Sequence, residues 1–115
     1  MRPSFLIRLG IACAVAAAAS AAGAADGDAA AGKNKNSMCI GCHGIGGYKT
    51  VFPDVYSVPK IGGQHAAYIV KALQEYKSGN RAHPSMRAIA AGLSDKDMAD
   101  LAAYYAADAS RTAAK

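Results

Sequence analysis

Cys39-Ile40-Gly41-Cys42-His43 is the stretch whose residue types and spacing can do chemistry. The C-x-x-C-H arrangement reads as a covalent haem attachment site: two thiols add across the porphyrin vinyl groups, and the adjoining histidine is delivered to the iron. Electron and ligand chemistry would then belong to the haem, and the protein's tasks would be to hold it, ligate it and tune it. On this reading the other residues form a container.

Two other readings of the cysteine pair are weaker. A structural zinc site of this kind needs a second pair of ligands, and the only further cysteine is Cys13, in a segment that reads as removable. A dithiol redox motif needs a βαβ setting, and no strand-rich stretch surrounds residues 39–43.

The chain has 115 residues, and residues 1–24 read as an export signal. Arg2 and Arg8 give a basic start, Leu9 to Ala19 an apolar stretch, and Ala22-Gly23-Ala24 a small-residue cleavage site, so the mature chain would begin near Ala25 or Asp26. The apolar stretch is short and alanine-rich for a permanent span, an uncleaved anchor being the alternative. Cys13 does not make a lipoprotein signal, because Gly10 stands where an apolar residue is wanted and the apolar run continues past the cysteine. Residues 25–115 then form one small domain, for which a covalently held cofactor is a useful staple. Export to the periplasm also fits a mature chain with a single pair of cysteines. Lys and Arg number 13 against 8 Asp and Glu, and without Arg2 and Arg8 the excess is mildly basic. No dense basic run with interleaved aromatics suggests nucleic acid.

The elements that must position the motif read as helices. Asp28 is the N-cap of a helix that carries Met38 and Cys39 into the motif, with Gly32 marking a close crossing or merely a flexible start. Two cysteines three apart lie on neighbouring faces of one turn. From Gly44 to Gly63 the glycines and prolines break any long period, and the stretch reads as a loop wrapped around the haem. It would bury Ile45, Val51, Phe52, Val55, Tyr56, Val58 and Ile61 against the macrocycle and leave Lys49 and Lys60 at the solvent edge. Gln64 to Gly79 is an amphipathic helix stopped by Gly79. A Pro84-containing loop and a short helical stretch from Arg87 to Ala91 follow. The last helix opens on Ser94-Asp95-Lys96-Asp97, carries an apolar stripe of Met98, Leu101, Ala102 and Tyr105, and runs to about Asp108.

His43 supplies one axial nitrogen, and the candidates for the other side are Met86, Met38, Met98, His65 and His83. Met38 shares its helix with the cysteines. Met98 falls on an apolar stripe, where a packed core methionine is the ordinary explanation, and His65 opens a helix as a polar cap. Met86 follows the proline loop about forty residues after His43, enough chain to travel around the haem and return on its far side. A core methionine beneath the loop is the alternative for Met86, and His83 remains a second candidate. His/Met ligation would raise the reduction potential. Six filled positions leave no place for oxygen or peroxide, and one-electron transfer follows.

Taken together, Cys39-Ile40-Gly41-Cys42-His43-Gly44, Pro59-Lys60-Ile61-Gly62-Gly63-Gln64, the Tyr68 to Gly79 helix, Met86 ahead of Leu93-Ser94-Asp95, and Ala102-Ala103-Tyr104-Tyr105 resemble a class I cytochrome c of the small monohaem bacterial type, or one half of the related dihaem form. The resemblance implies an all-α cytochrome c fold, three to four helices around one covalently bound haem c. It implies thioethers at Cys39 and Cys42, His43 and Met86 on the iron, and the Pro59 carbonyl accepting the proximal imidazole N–H, which would fix the ring and strengthen its donation. It also implies a crosswise packing of first and last helices, with Gly32 meeting Tyr104 or Tyr105. The segment Tyr48 to Val58 is longer than the family's usual pattern.

The expected function is a diffusible, monomeric periplasmic electron carrier, not an enzyme, exchanging electrons with redox proteins and peripherally with membrane respiratory complexes. Lys49, Lys60, Lys71, Lys77, Arg81 and Arg87 would ring the haem edge and steer an acidic partner. The alternatives are a gas- or peroxide-binding haem protein with an open iron position, and a haem subunit fixed in a larger oxidoreductase.

Overall fold

The computed structural model describes residues 26–52 and 54–108, so the proposed export segment with Cys13 lies outside the described residues. The described chain is mostly helical: α1 (Ala29–Lys35), α2 (Ser37–His43), a two-stranded hairpin β1 (Lys49–Thr50) and β2 (Tyr56–Ser57), then α3 (Ala66–Ser78), α4 (Pro84–Ala91) and α5 (Asp95–Ala107). This is the all-α architecture expected.

The single N-terminal helix expected through the motif is instead two. Asn36 is both the C-cap of α1 and the N-cap of α2, and its carbonyl accepts from Cys39 N at 2.8 Å and Ile40 N at 2.9 Å. Asparagine is a poor helix-interior residue because its amide competes for backbone partners. The break re-aims the helix just before the cysteines.

α1 lies against α5, and two glycines make the approach. A Cβ on Gly27 would stand 1.9 Å from the Ala99 carbonyl oxygen, and one on Gly32 would stand 2.1 Å from that of Asp100 and 2.8 Å from Tyr104 Cβ. The crossing glycine is thus met by Asp100 and Tyr104. Gly32→Ala gains about 1 kcal/mol of helix propensity, but it drives a methyl into a backbone oxygen that cannot swing away, and overpacking of this kind costs about 3 kcal/mol or more. The clash wins, and a net loss of about 2 kcal/mol in denaturant unfolding is expected.

An ionic cluster locks the same crossing. The Asp28 side chain caps α1, accepting from Ala30 N at 2.8 Å and Ala31 N at 3.3 Å, while Asp28 N donates to Asp100 Oδ1 at 2.7 Å. Lys35 Nζ donates to Asp100 Oδ2 at 2.8 Å and pairs with Asp97 Oδ1 at 2.7 Å, and Lys96 donates to Asp100 from the preceding turn. Asp100 is 1 % exposed and is tolerated inside because every approach to its carboxylate brings a donor. Lys35 first, then Lys96 and the Asp28 N–H, hold the Asp100 carboxyl well below the usual carboxylate range. Lys35 first, then Ser94, does the same to Asp97.

Carboxyls held low in the folded state bind fewer protons there than in the unfolded chain, whose aspartates titrate near about 4. Their stabilisation is therefore complete above about pH 4 and is lost as pH falls below it. Acid unfolding followed by circular dichroism should show that limb, and Asp100→Asn should flatten it while lowering stability at neutral pH.

α5 opens with a reciprocal box in which the Ser94 hydroxyl accepts from Asp97 N at 3.1 Å and Asp97 Oδ2 accepts from Ser94 N at 3.0 Å. α3 ends on Gly79 at φ 85°, a left-handed C-cap natural to glycine. Ile69 and Leu73 of α3 pack with Met98, Leu101, Ala102 and Tyr105 of α5 as the core, and Cys39, Ile61, Val70, Met86 and Leu93 lean on it.

The hairpin is the departure from expectation in the 44–63 stretch. Lys49 pairs with Ser57 and Thr50 with Tyr56, antiparallel, so the chain doubles back on itself. Tyr56, Val58 and Ile61 face a cavity as expected. Val51, Phe52 and Val55 instead stand at the hairpin's tip, 71 to 85 % exposed, and Ile45 is also exposed. Once the backbone pairs across Thr50 and Tyr56, those tip residues lie beyond reach of the cavity they were expected to cover.

Candidate haem site

The cavity beside the attachment motif has a volume of about 800 Å³, within the range of small-molecule and cofactor sites. α2 contributes Met38, Cys42 and His43; the hairpin and the segment after it contribute Tyr56, Val58, Pro59 and Ile61; α3 contributes Ile69 and Leu73; α4 contributes Met86 and Ile89. A smaller void of about 40 Å³ behind it also touches Cys39, His43 and Met86. Protein interiors are otherwise packed to near-crystalline density, so a hollow of this size with apolar walls is a space shaped for a large apolar group.

His43 is the orienting feature. Its Nδ1 lies 2.7 Å from the Pro59 carbonyl oxygen. A carbonyl only accepts, so Nδ1 carries the hydrogen and donates, and Nε2 is left with its lone pair for a metal. The partnership expected for Pro59 is in place. Pro59 is held in turn by the segment that follows, where Gly63 N donates to Tyr105 O at 2.8 Å on α5.

Cys39 and Cys42 are both free thiols, half-buried on α2. Burial pushes the Cys39 thiol up from its ordinary pKa, and the nearby Tyr105 side chain partly offsets this. Among the described residues no group of three or more His, Cys, Asp or Glu is placed to hold a metal ion by itself. The donor set suits a metal that arrives inside a macrocycle, with one imidazole and two alkylatable thiols on a single turn.

The other candidate ligands separate by position. Met86 is half-buried in the first turn of α4 and lines both the cavity and the small void. Met38 also lines the cavity but is 67 % exposed. Met98 is fully buried in the core and absent from the cavity wall. His65 is the exposed N-cap of α3, with no side-chain capping bond. His83 lines the cavity too, but its Nδ1 accepts from Met86 N at 3.3 Å.

Of the cations expected at the rim, Lys60 and Arg81 line the cavity and Lys49 is exposed on β1. Arg81 lies 4.8 Å from the Tyr76 ring centroid and donates to the Tyr68 hydroxyl at 3.4 Å. Lys71 is spent on Glu75, one turn away at 2.6 Å, and Lys77 ties down the Leu93 carbonyl. Ile89 and Tyr105 are among the contributors missed from the sequence. Ile89 of the wall belongs to the short α4, too brief to show a period. Tyr105 reads as a stripe residue, and its hydroxyl's neighbour, 66 positions earlier, leaves no local trace.

A helical domain that offers a cysteine pair and an oriented histidine to one apolar cavity is built as a haem protein of the c type. The family model described as cytochrome c matches residues 24–106. Cytochrome c4 of Stutzerimonas stutzeri is 44% identical over 70 residues, covering 57% of this chain and 32% of that protein. Cytochrome c-554(548) of Halomonas halodenitrificans is 40% identical over 76 residues, covering 64% of this chain and 87% of that protein. A protein of Stutzerimonas stutzeri (strain A1501) named thiosulfate dehydrogenase electron acceptor is 37% identical over 65 residues, 56% of this chain and 29% of its own length. The chain thus spans about a third of the cytochromes c4 it matches. It belongs to the cytochrome c family, as a class I cytochrome c. Covalently bound haem c comes with that membership, and Cys39 and Cys42 are placed for its attachment.

Proposed function

We propose that this chain is a periplasmic carrier of one electron at a time between redox proteins. A single haem is held through Cys39 and Cys42 and ligated by His43 and Met86, and the chain is not itself an enzyme. Haem, when bound, supplies Fe(II)/Fe(III) exchange; the chain's residues decide that nothing else happens there. His43, its Nδ1–H engaged by Pro59, presents Nε2 and is made a better donor. The Met86 thioether, which lines the same cavity, would be the second protein ligand of the iron and would favour the ferrous state. The apolar wall of Ile69, Leu73 and Ile89 excludes water. The observation that carries this reading is the convergence on one cavity of an oriented imidazole from α2 and a thioether from α4.

Export rests on residues 1–24, and the family match begins at residue 24, beside the proposed cleavage site. No helix among the described residues is long and apolar enough to cross a membrane. Lys60 and Arg81 at the cavity wall, with the exposed Lys49 and Arg87, supply positive charge to steer an acidic partner, acting on association rate and weakening with salt. The donor and acceptor are proteins, and the monomer is the working state.

The test is a potentiometric titration followed by exposure of the reduced protein to carbon monoxide. A one-electron Nernst curve at positive potential with no carbon monoxide spectrum is expected. Rapid carbon monoxide binding with peroxide turnover would point to an open iron position and a gas- or peroxide-binding role.

A further inference from the structure

His83 opens α4 and has an extended backbone, φ −162°. The helix begins with Pro84, which has no N–H to satisfy, and Met86 is its third residue. The Met86 N–H is one of the donors a helix start leaves unpaired, and His83 Nδ1 accepts it at 3.3 Å. Nδ1 must therefore be the unprotonated nitrogen of the ring. The imidazole is also held from two sides. Its centroid lies 4.8 Å from the Tyr56 ring of β2 at an interplanar angle of 55°, and 6.3 Å from the Tyr76 ring of α3 in an edge-on arrangement at 77°. One side chain thus ties the hairpin and α3 to the first turn of the helix that carries Met86.

We infer that His83 is a positioning residue for Met86: by accepting its amide hydrogen while clamped between Tyr56 and Tyr76, it holds the first turn of α4 closed and keeps the thioether from leaving the cavity. The inference rests on the proposed ligation by Met86. A thioether in the first turn of a helix moves wherever that turn frays, so the strength of the cap sets how easily an outside ligand displaces it. A histidine spent in this way does not serve as the ligand itself, a role the sequence also allowed.

The experiment uses ferric holoprotein at neutral pH titrated with imidazole, reading loss of the weak far-red charge-transfer band that marks thioether-ligated ferric haem. His83→Ala is expected to bind imidazole about tenfold more tightly than wild type, the effect of losing one helix cap. His83→Asn, which keeps a capping oxygen, should recover most of that factor. His83→Phe, which keeps a ring but no acceptor, should not. An unchanged affinity in His83→Ala, or Asn and Phe behaving alike, would overturn the inference. A wild-type protein with no far-red band would overturn Met86 ligation instead, and a band appearing only in His83→Ala would make His83 the ligand.

Discussion

Met86→Ala is expected to lower the reduction potential by on the order of 0.1 V or more and to open the iron to carbon monoxide. Axial ligands command a span of roughly 0.8 V in haem proteins, and loss of a thioether removes the ligand that favours ferrous iron. The fold should survive the change. Met86 is half-buried, at the edge of the core rather than within it, so the packing lost is about 1 to 2 kcal/mol, below the 2 to 5 typical of a fully buried methionine. Potentiometry together with circular dichroism separates the two effects. A wild-type potential in a folded Met86→Ala protein would remove Met86 from the iron.

His43→Ala should have the larger consequence for the protein as a whole, the loss of nearly all coloured holoprotein. The His43 ring is, on the proposed ligation, the nitrogen donor to the iron and, through its bond to the Pro59 carbonyl, the link between α2 and the segment that Gly63 fastens to α5. Alanine breaks the ligation and the strap together, leaving the cavity wall unsupported on that side. His43→Gly supplied with imidazole distinguishes the roles. Free imidazole can restore a ligand but cannot restore the tether, so a coloured protein of reduced thermal stability is expected. Unchanged holoprotein yield in His43→Ala would contradict the assignment.

Much of this arrangement was legible because it is local. The attachment motif, the Asp28 cap, the Ser94–Asp97 box and the Gly79 stop are each written within a few residues, and the structure has them all. The Gly32 crossing was legible as a glycine that costs helix stability and so needs a reason; the reason is the Asp100 carbonyl against it. What could not be read depends on partners far along the chain. Asp100 interrupts the apolar stripe of α5 and reads as a solvated acid, because Asp28 and Lys35, which make it a buried anchor, lie some 70 residues away. The hairpin escaped because its strands are two residues each, too short for alternation to register. That pairing then carried Val51, Phe52 and Val55 outward. The break at Asn36 was not read, because one weak helix former does not announce the point where α1 must leave α5 and α2 must meet the cavity.

The site showed the same division. Two cysteines and a histidine announce themselves within five consecutive positions, whereas the residues that shape the cavity are apolar or aromatic side chains from four separate segments. Tyr56 and Tyr76 reach His83 only after the hairpin and α3 have been laid side by side.

Cys39 and Cys42 are placed for covalent attachment of haem. The most direct measurement is the intact mass of protein matured in a host able to attach haem, taken under denaturing conditions alongside its absorbance. One haem per chain, retained through denaturing extraction and lost from Cys39→Ala/Cys42→Ala, is the result expected. A colourless, folded protein whose mass is that of the polypeptide alone would contradict it.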